Sequence, residues 1–265
     1  MAESISPDIH CEVTGGGEGI PLVLVHGFPL DSRMWLPQKE FLQGRRPVLL
    51  PDLPGFGRSP DPAGSVSIDL YASALKRELD RRDIGNVVLA GFSMGGYTAL
   101  AFAEHYPERL AALVLANTRA AADSEEGRAA RTQAMERVRE ADPVALAEET
   151  PAKLLCKRSL HERPELVRWV DHIVRTQRTS GVVGGLEAMR DRPDRTALLP
   201  HIKCPVLVVG GEMDPIVPAE EVREMAAAVP GGRLKFIAGS GHLSNLEQPE
   251  AFNSVVEEFL READL

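Results

Sequence analysis

Short apolar runs, each closed by glycine, proline or a polar residue, recur along the chain at 21–25, 47–50, 86–90, 111–116 and 205–209. Within each run the residues are almost uniformly apolar. That is the pattern of strands covered on both faces, as in a parallel sheet. Between the runs the apolar spacing changes to three and four. Over 68–82, Leu70, Ala74, Leu75 and Leu79 share one side. Segments 95–106 and 218–229 also read as helices, and 249–262 places Phe252, Val255, Val256, Phe259 and Leu260 on a single face. One further strand is read at 233–237. The alternation predicts an α/β fold with a mostly parallel, doubly wound sheet.

The alternation stops between Asn117 and about Arg195. Ser124 has the features of an N-cap, with Glu125 and Glu126 in the first turn of a helix running towards Glu140. Pro143 opens a second helix and Pro164 a third containing Trp169. Gly184 and Gly185 mark a break or hinge. The expected organisation is a core of residues 1–117 and 196–265 with a helical cap, 118–195, inserted into it. The cap holds 15 of the 30 basic residues and 14 of the 39 acidic ones, so the net charge of -9 resides in the core.

That charge excludes the basic footprint of a nucleic-acid binder and disfavours anionic membrane surfaces. No apolar run is long enough to span a bilayer. Residues 1–10 contain acidic groups and no apolar stretch, unlike a secretory leader. Cys11, Cys156 and Cys204 are odd in number and far apart, which fits reduced thiols and no metal site. A cytoplasmic protein is expected, either monomer or homodimer, with no nucleic-acid or membrane partner.

The chemistry concentrates where strand runs end. The strand at 87–90 leads into Gly91-Phe92-Ser93-Met94-Gly95-Gly96 and then a helix. This strand, G-x-S-x-G, helix arrangement is the context of a nucleophile held on a sharp turn, where the residues two positions either side must be very small. Ser93 is the expected nucleophile. No Lys-Ser or Lys-Thr pair follows, so the turn is not a phosphate cradle. The strand at 22–25 ends in His26-Gly27-Phe28-Pro29. The amides of Phe28 and Met94 are expected to form an oxyanion hole. His26, at the end of a buried strand, is read as shaping the loop rather than as a base.

An acid just beyond a strand's carboxyl end lies on the functional rim of such a sheet. Asp214, fixed by Pro215, fills that place after the strand at 205–209, with Glu212 as the alternative. His242, on the loop Gly239-Ser240-Gly241 before the last helix, is the expected base, since imidazole titrates near neutrality. The other histidines considered, His10, His105, His161, His172 and His201, are read as surface residues. The order Ser, Asp, His suits this architecture.

With these residues the chain resembles the α/β-hydrolase superfamily from His26 to His242. Asp52-Leu53-Pro54-Gly55-Phe56-Gly57-Arg58-Ser59 looks like the loop after the next core strand of capped members. Leu113-Val114-Leu115-Ala116-Asn117-Thr118 is similar to small capped esterases and 3-oxoadipate enol-lactonases. The resemblance implies a Ser93–His242–Asp214 triad with Phe28 and Met94 as oxyanion donors, and no cofactor or metal. Some relatives carry the acid at the end of the strand before the cap. Here that position is Asn117, which cannot be an anion. The expected activity is hydrolysis of small or medium carboxylic esters through an acyl-enzyme. Enol-lactone hydrolysis, perhydrolysis and, from a different class, a non-catalytic ligand-binding receptor are the alternatives. Trp35, Phe28, Phe92, Leu155, Trp169 and Val183 are candidate pocket lining. The cap arginines Arg119 and Arg158 are candidates for attracting a carboxylate-bearing lactone.

Overall fold

The computed structural model describes residues 8–265. Seven of the ten residues read as unlike a leader therefore lie outside the described residues. Seven strands form one sheet: β1 (Cys11–Thr14), β2 (Leu22–Val25), β3 (Val48–Pro51), β4 (Val87–Phe92), β5 (Leu110–Ala116), β6 (Val206–Gly211) and β7 (Arg233–Ile237). Their order across the sheet is β1-β3-β2-β4-β5-β6-β7. Only β1 runs antiparallel to its neighbour; all other pairings are parallel. Strands β2, β3, β4 and β6 are buried at every position and β5 at all but one. Helices on both faces therefore demand side chains that are apolar throughout.

The two edges differ in kind. β7 carries Arg233 and Lys235, charges that keep a strand edge from pairing with another chain. β1 is not marked by the apolar pattern. Its four residues, Cys-Glu-Val-Thr, are too few and too polar to register as a strand, and their pairing with β3 decides their conformation.

The helices flanking the sheet are α1 (Leu36–Leu42), α2 (Ile68–Arg81) and α3 (Met94–His105), followed beyond the cap region by α10 (Ala219–Ala228), α11 (Ser244–Glu247) and α12 (Pro249–Glu262). Between β5 and β6 the chain forms α4 (Glu125–Ala141), α5 (Val144–Ala147), α6 (Thr150–Leu154), α7 (Lys157–Glu162), α8 (Pro164–Arg175) and α9 (Thr179–Arg190), with no strand among them. Ser124 caps α4 as expected, its hydroxyl accepting from the Gly127 N–H. No helix among the described residues is long and apolar enough to cross a membrane.

The Gly184-Gly185 pair is not a hinge: both residues lie inside the unbroken helix α9. The reason is packing. A Cβ on Gly184 would lie 2.8 Å from Val66, and one on Gly185 would lie 2.7 Å from the Phe56 ring and 3.1 Å from that of Phe28. One turn earlier, a Cβ on Gly181 would fall 1.9 Å from the Gly55 carbonyl oxygen. These glycines let α9 approach the core loop, which outweighs their poor helix propensity.

The parallel register gathers the carboxyl ends of six strands, β2 to β7, on one rim. Val25 pairs with Gly91, Ala116 with Val209, and Gly211 with Ile237. Loops leaving β2, β4, β5, β6 and β7 therefore emerge side by side.

Candidate active site

Ser93 sits between β4 and α3 with φ of 52° and ψ of -113°, a conformation that costs energy for a residue with a side chain. The turn is tight enough that a Cβ on Gly91 would lie 2.2 Å from the Gly95 carbonyl oxygen, and one on Gly95 would lie 2.4 Å from that of Val25. Both are backbone atoms that cannot swing away. The turn is braced by the Ser93 N–H donating to Ala116 O (2.9 Å) and by the Thr118 hydroxyl donating to Ser93 O (2.8 Å). This leaves the serine side chain half-buried at the rim.

His242 reaches it from the loop after β7. Its Nε2 lies 3.0 Å from Ser93 Oγ, and its Nδ1 lies 2.8 Å from Asp214 Oδ2. With Asp214 accepting at Nδ1–H, Nε2 is left as the acceptor for the serine hydroxyl. The imidazole is buried and rests edge-on against Phe92, ring centroids 5.6 Å apart.

Asp214 accepts four hydrogen bonds. Oδ1 takes the N–H groups of Ile216 (2.8 Å) and Val217 (3.1 Å), while Oδ2 takes His242 and the Asn117 side-chain amide (2.9 Å). Burial alone would push its carboxyl up. The nearby His242, the Asn117 amide and the Ile216 N–H outweigh burial and hold it below the ordinary aspartate range. Glu212, the alternative acid, is exposed and accepts from the Gly239 N–H instead.

Asn117, which cannot itself be an anion, is instead a hydrogen-bond partner of Asp214. It is fully buried, with φ of 48°, and receives the Ser244 hydroxyl on Oδ1 at 2.6 Å. The available signal was its residue type: asparagine tolerates left-handed backbone and has both donor and acceptor.

Phe28 is half-buried, and its amide N–H and that of Met94 donate to no other protein group among the described residues. Gly27 is tied by its N–H to Met34 Sδ (3.2 Å). His26 is fully buried. Its Nε2 accepts from the Leu53 N–H (2.9 Å) and its Nδ1 meets the Gly27 carbonyl oxygen (3.0 Å). Burial, opposed by Asp52 and the Gly27 carbonyl, pushes its pKa down, so it is a neutral strut joining the loops after β2 and β3. His105, His161, His172 and His201 are exposed and His10 is half-buried.

The structure separates the pocket candidates. Trp35 and Phe92 are fully buried; their rings pack edge to face at 5.9 Å, and Trp35 also meets Phe252. Phe92 rests against the His242 imidazole and Trp35 packs on Phe92, so both belong to the core and are not walls of an open pocket. Leu155 is likewise buried, between α6 and α7. Trp169 and Val183 are half-buried, Trp169 stacking on His172 along α8. Arg119 donates to the Ile216 carbonyl and pairs with Glu221, and Arg158 pairs with Glu162.

One cluster has metal-ligand chemistry: Asp69, Glu104 and His105. The buried Arg195 guanidinium already pairs with both carboxylates and offsets half of the charge a cation would need.

The rim that carries this hydrogen-bonded chain, at the carboxyl ends of a mostly parallel sheet, is that of a hydrolase. The chain belongs to the alpha/beta hydrolase fold family, whose model matches residues 20–249. It is 29% identical over 240 residues to 3-oxoadipate enol-lactonase 2 of Acinetobacter baylyi, covering 91% of this chain and 88% of that one. Among solved structures it is similar to a thermophilic esterase from Thermogutta terrifontis, studied with malate bound. That match has 39% identity and a TM-score of 0.92, covering 96% of this chain and 93% of the other. It is also similar to the enol-lactonase from Burkholderia xenovorans LB400, with 27% identity and a TM-score of 0.89, covering 96% of each.

Proposed function

We propose that the protein hydrolyses carboxylic esters of small to medium acyl groups, with Ser93 as nucleophile, His242 as general base and acid, and Asp214 as the group that orients the imidazole. The observation that carries this reading is the unbroken chain from Ser93 Oγ through His242 to Asp214. His242 Nε2 takes the hydroxyl proton as Oγ attacks the ester carbonyl. Negative charge on the carbonyl oxygen is held by the free amides of Phe28 and Met94, preorganised donors that need no rearrangement during reaction. His242 then protonates the departing alkoxide. Water, deprotonated by the same nitrogen, releases the acid and restores Ser93. Asp214, kept ionised, stabilises the imidazolium formed at each step.

Residues 118–195 serve as a cap over this rim and set the substrate range. Neutral esters are favoured over carboxylate-bearing enol-lactones because the two cap arginines considered for a substrate carboxylate are engaged with Glu221, the Ile216 carbonyl and Glu162. Enol-lactone hydrolysis is the second reading, supported by the activities named for two of the relatives.

Steady-state assays with p-nitrophenyl acetate and butyrate test the proposal. Multiple turnovers abolished by Ser93→Ala are expected; saturable binding without turnover would point to a receptor. A specificity constant for a carboxylated enol-lactone far above those for neutral esters, reversed by substituting Arg119 or Arg158, would overturn the substrate choice.

A further inference from the structure

The short helix α11, directly after His242, carries a second buried carboxyl group that the mechanism above does not use. Glu247 is 3% exposed. Its Oε1 accepts the Gly241 N–H at 2.8 Å, one residue before the base. Its Oε2 accepts the Cys156 N–H at 2.9 Å, in the segment joining α6 to α7. No lysine, arginine or histidine among the described residues pairs with this carboxylate. The two backbone amides are its solvation, and charge-assisted bonds of this length are strong and directional.

The same two segments meet directly. The His242 N–H donates to Leu154 O at 2.8 Å, and the Leu243 N–H reaches the same oxygen at 3.3 Å. The space between them is filled. A Cβ at Gly241 would lie 2.6 Å from Cys156 N, 3.0 Å from Glu247 Oε1 and 3.1 Å from Leu154 O. On the other side, Gly241 O would lie 1.9 Å from a Cβ on Gly211 at the end of β6. The residue before the base is thus held between the sheet and residues 154–156, with the Glu247 carboxylate bridging it to the latter. From the same helix, Ser244 reaches Asn117, the partner of Asp214.

We propose that Glu247 is a positioning residue for His242: its carboxylate sets the backbone from which the imidazole projects and locks that backbone to residues 154–156, so that the base and this part of the cap keep one relative position. The inference rests on His242 being the base. Removing the carboxylate frees two buried N–H donors and lets the loop relax, and misplacement of a reacting group by about 1 Å can cost on the order of 100-fold in rate.

The test compares wild type, Glu247→Ala, Glu247→Gln and Ser93→Ala on p-nitrophenyl butyrate, with kcat expressed per serine titrated by a fluorophosphonate. Glu247→Ala is expected to lose roughly 10- to 100-fold in kcat per titrated serine, with KM changed by less than about threefold. Glu247→Gln, which keeps one acceptor oxygen, is expected to fall between the two. A residue that only supported folding would lower the titrated fraction and the melting temperature and leave kcat per titrated serine unchanged. A value within twofold of wild type for the folded variants, or a loss confined to KM, overturns the proposal. If the alanine variant does not fold, the glutamine variant decides by the same criterion. Hydrogen exchange on the wild-type protein adds an independent reading: the Gly241 amide is expected to be strongly protected, and rapid exchange there overturns the proposal without any substitution. Turnover persisting at the wild-type rate in Ser93→Ala would instead sink the reading of the site itself, whatever the Glu247 variants do.

Discussion

Replacing Asn117 by glycine isolates what one buried amide does for Asp214. The side chain makes two contacts, donating to Asp214 Oδ2 at 2.9 Å and accepting from the Ser244 hydroxyl at 2.6 Å. A bond to a charged acceptor contributes about 1.5–3 kcal/mol, and a neutral one about 0.5–1.5 kcal/mol. Glycine accepts the φ of 48° without strain, while its added freedom in the unfolded chain costs roughly 0.5–1 kcal/mol. Together these amount to a destabilisation of about 2.5–5.5 kcal/mol, read by urea unfolding. Asn117→Ala should lose about 1 kcal/mol more, because its Cβ must sit in left-handed backbone. The effect on kcat should be modest, roughly 3- to 10-fold, because the Ile216 and Val217 amides still hold Oδ1. The sign with pH follows from Asp214. A carboxyl held below its unfolded value contributes stability above about pH 4 that is lost as pH falls through the folded value. The gap between wild type and Asn117→Gly should therefore narrow in acid. Equal stabilities at pH 7, or a loss of kcat as deep as that of Asp214→Asn, would refute the reasoning.

Asp214→Asn itself should lower kcat by about 10⁴-fold, since the wrong tautomer of His242 would face Ser93; a loss below tenfold in a steady-state ester assay would remove Asp214 from its role. In helix α9, Gly181→Ala should destabilise by roughly 2–4 kcal/mol, because its Cβ meets a backbone carbonyl oxygen at 1.9 Å, whereas Gly127→Ala in α4, whose Cβ meets nothing nearer than Asp123 at 3.3 Å, should change stability by less than about 1 kcal/mol. Differential unfolding of the pair checks whether α9 is packed as described. His26 is neutral when folded and ionises more readily once unfolded, so its contribution is present above about pH 6.5 and lost below. Unfolding free energy should fall by up to about 1.4 kcal/mol per pH unit below that point, and His26→Gln should flatten the slope.

Much of this is legible in the amino-acid sequence. The uniformly apolar runs required a sheet covered on both faces, and the small residues around Ser93 are demanded by a turn in which a Cβ at Gly91 would strike backbone. The order of Ser93, Asp214 and His242 follows from which strands end on the shared rim. Local chemistry states these constraints, because they concern what a residue can be or where a chain can turn. What only the tertiary structure decided concerns neighbours distant along the chain. β1 exists because β3 pairs with it. The glycines of α9 look like a hinge in sequence and are a packing face because Gly55, Phe56 and Val66 lie against them. Trp35 and Phe92 look like pocket walls and are core because the sheet and α12 close over them. The partners of Asn117 and Glu247 cannot be read from the chain, since a hydrogen bond across 97 or 91 residues leaves no periodicity. Their importance comes from burial, which turns an unpaired polar atom into a cost and so makes each partner necessary.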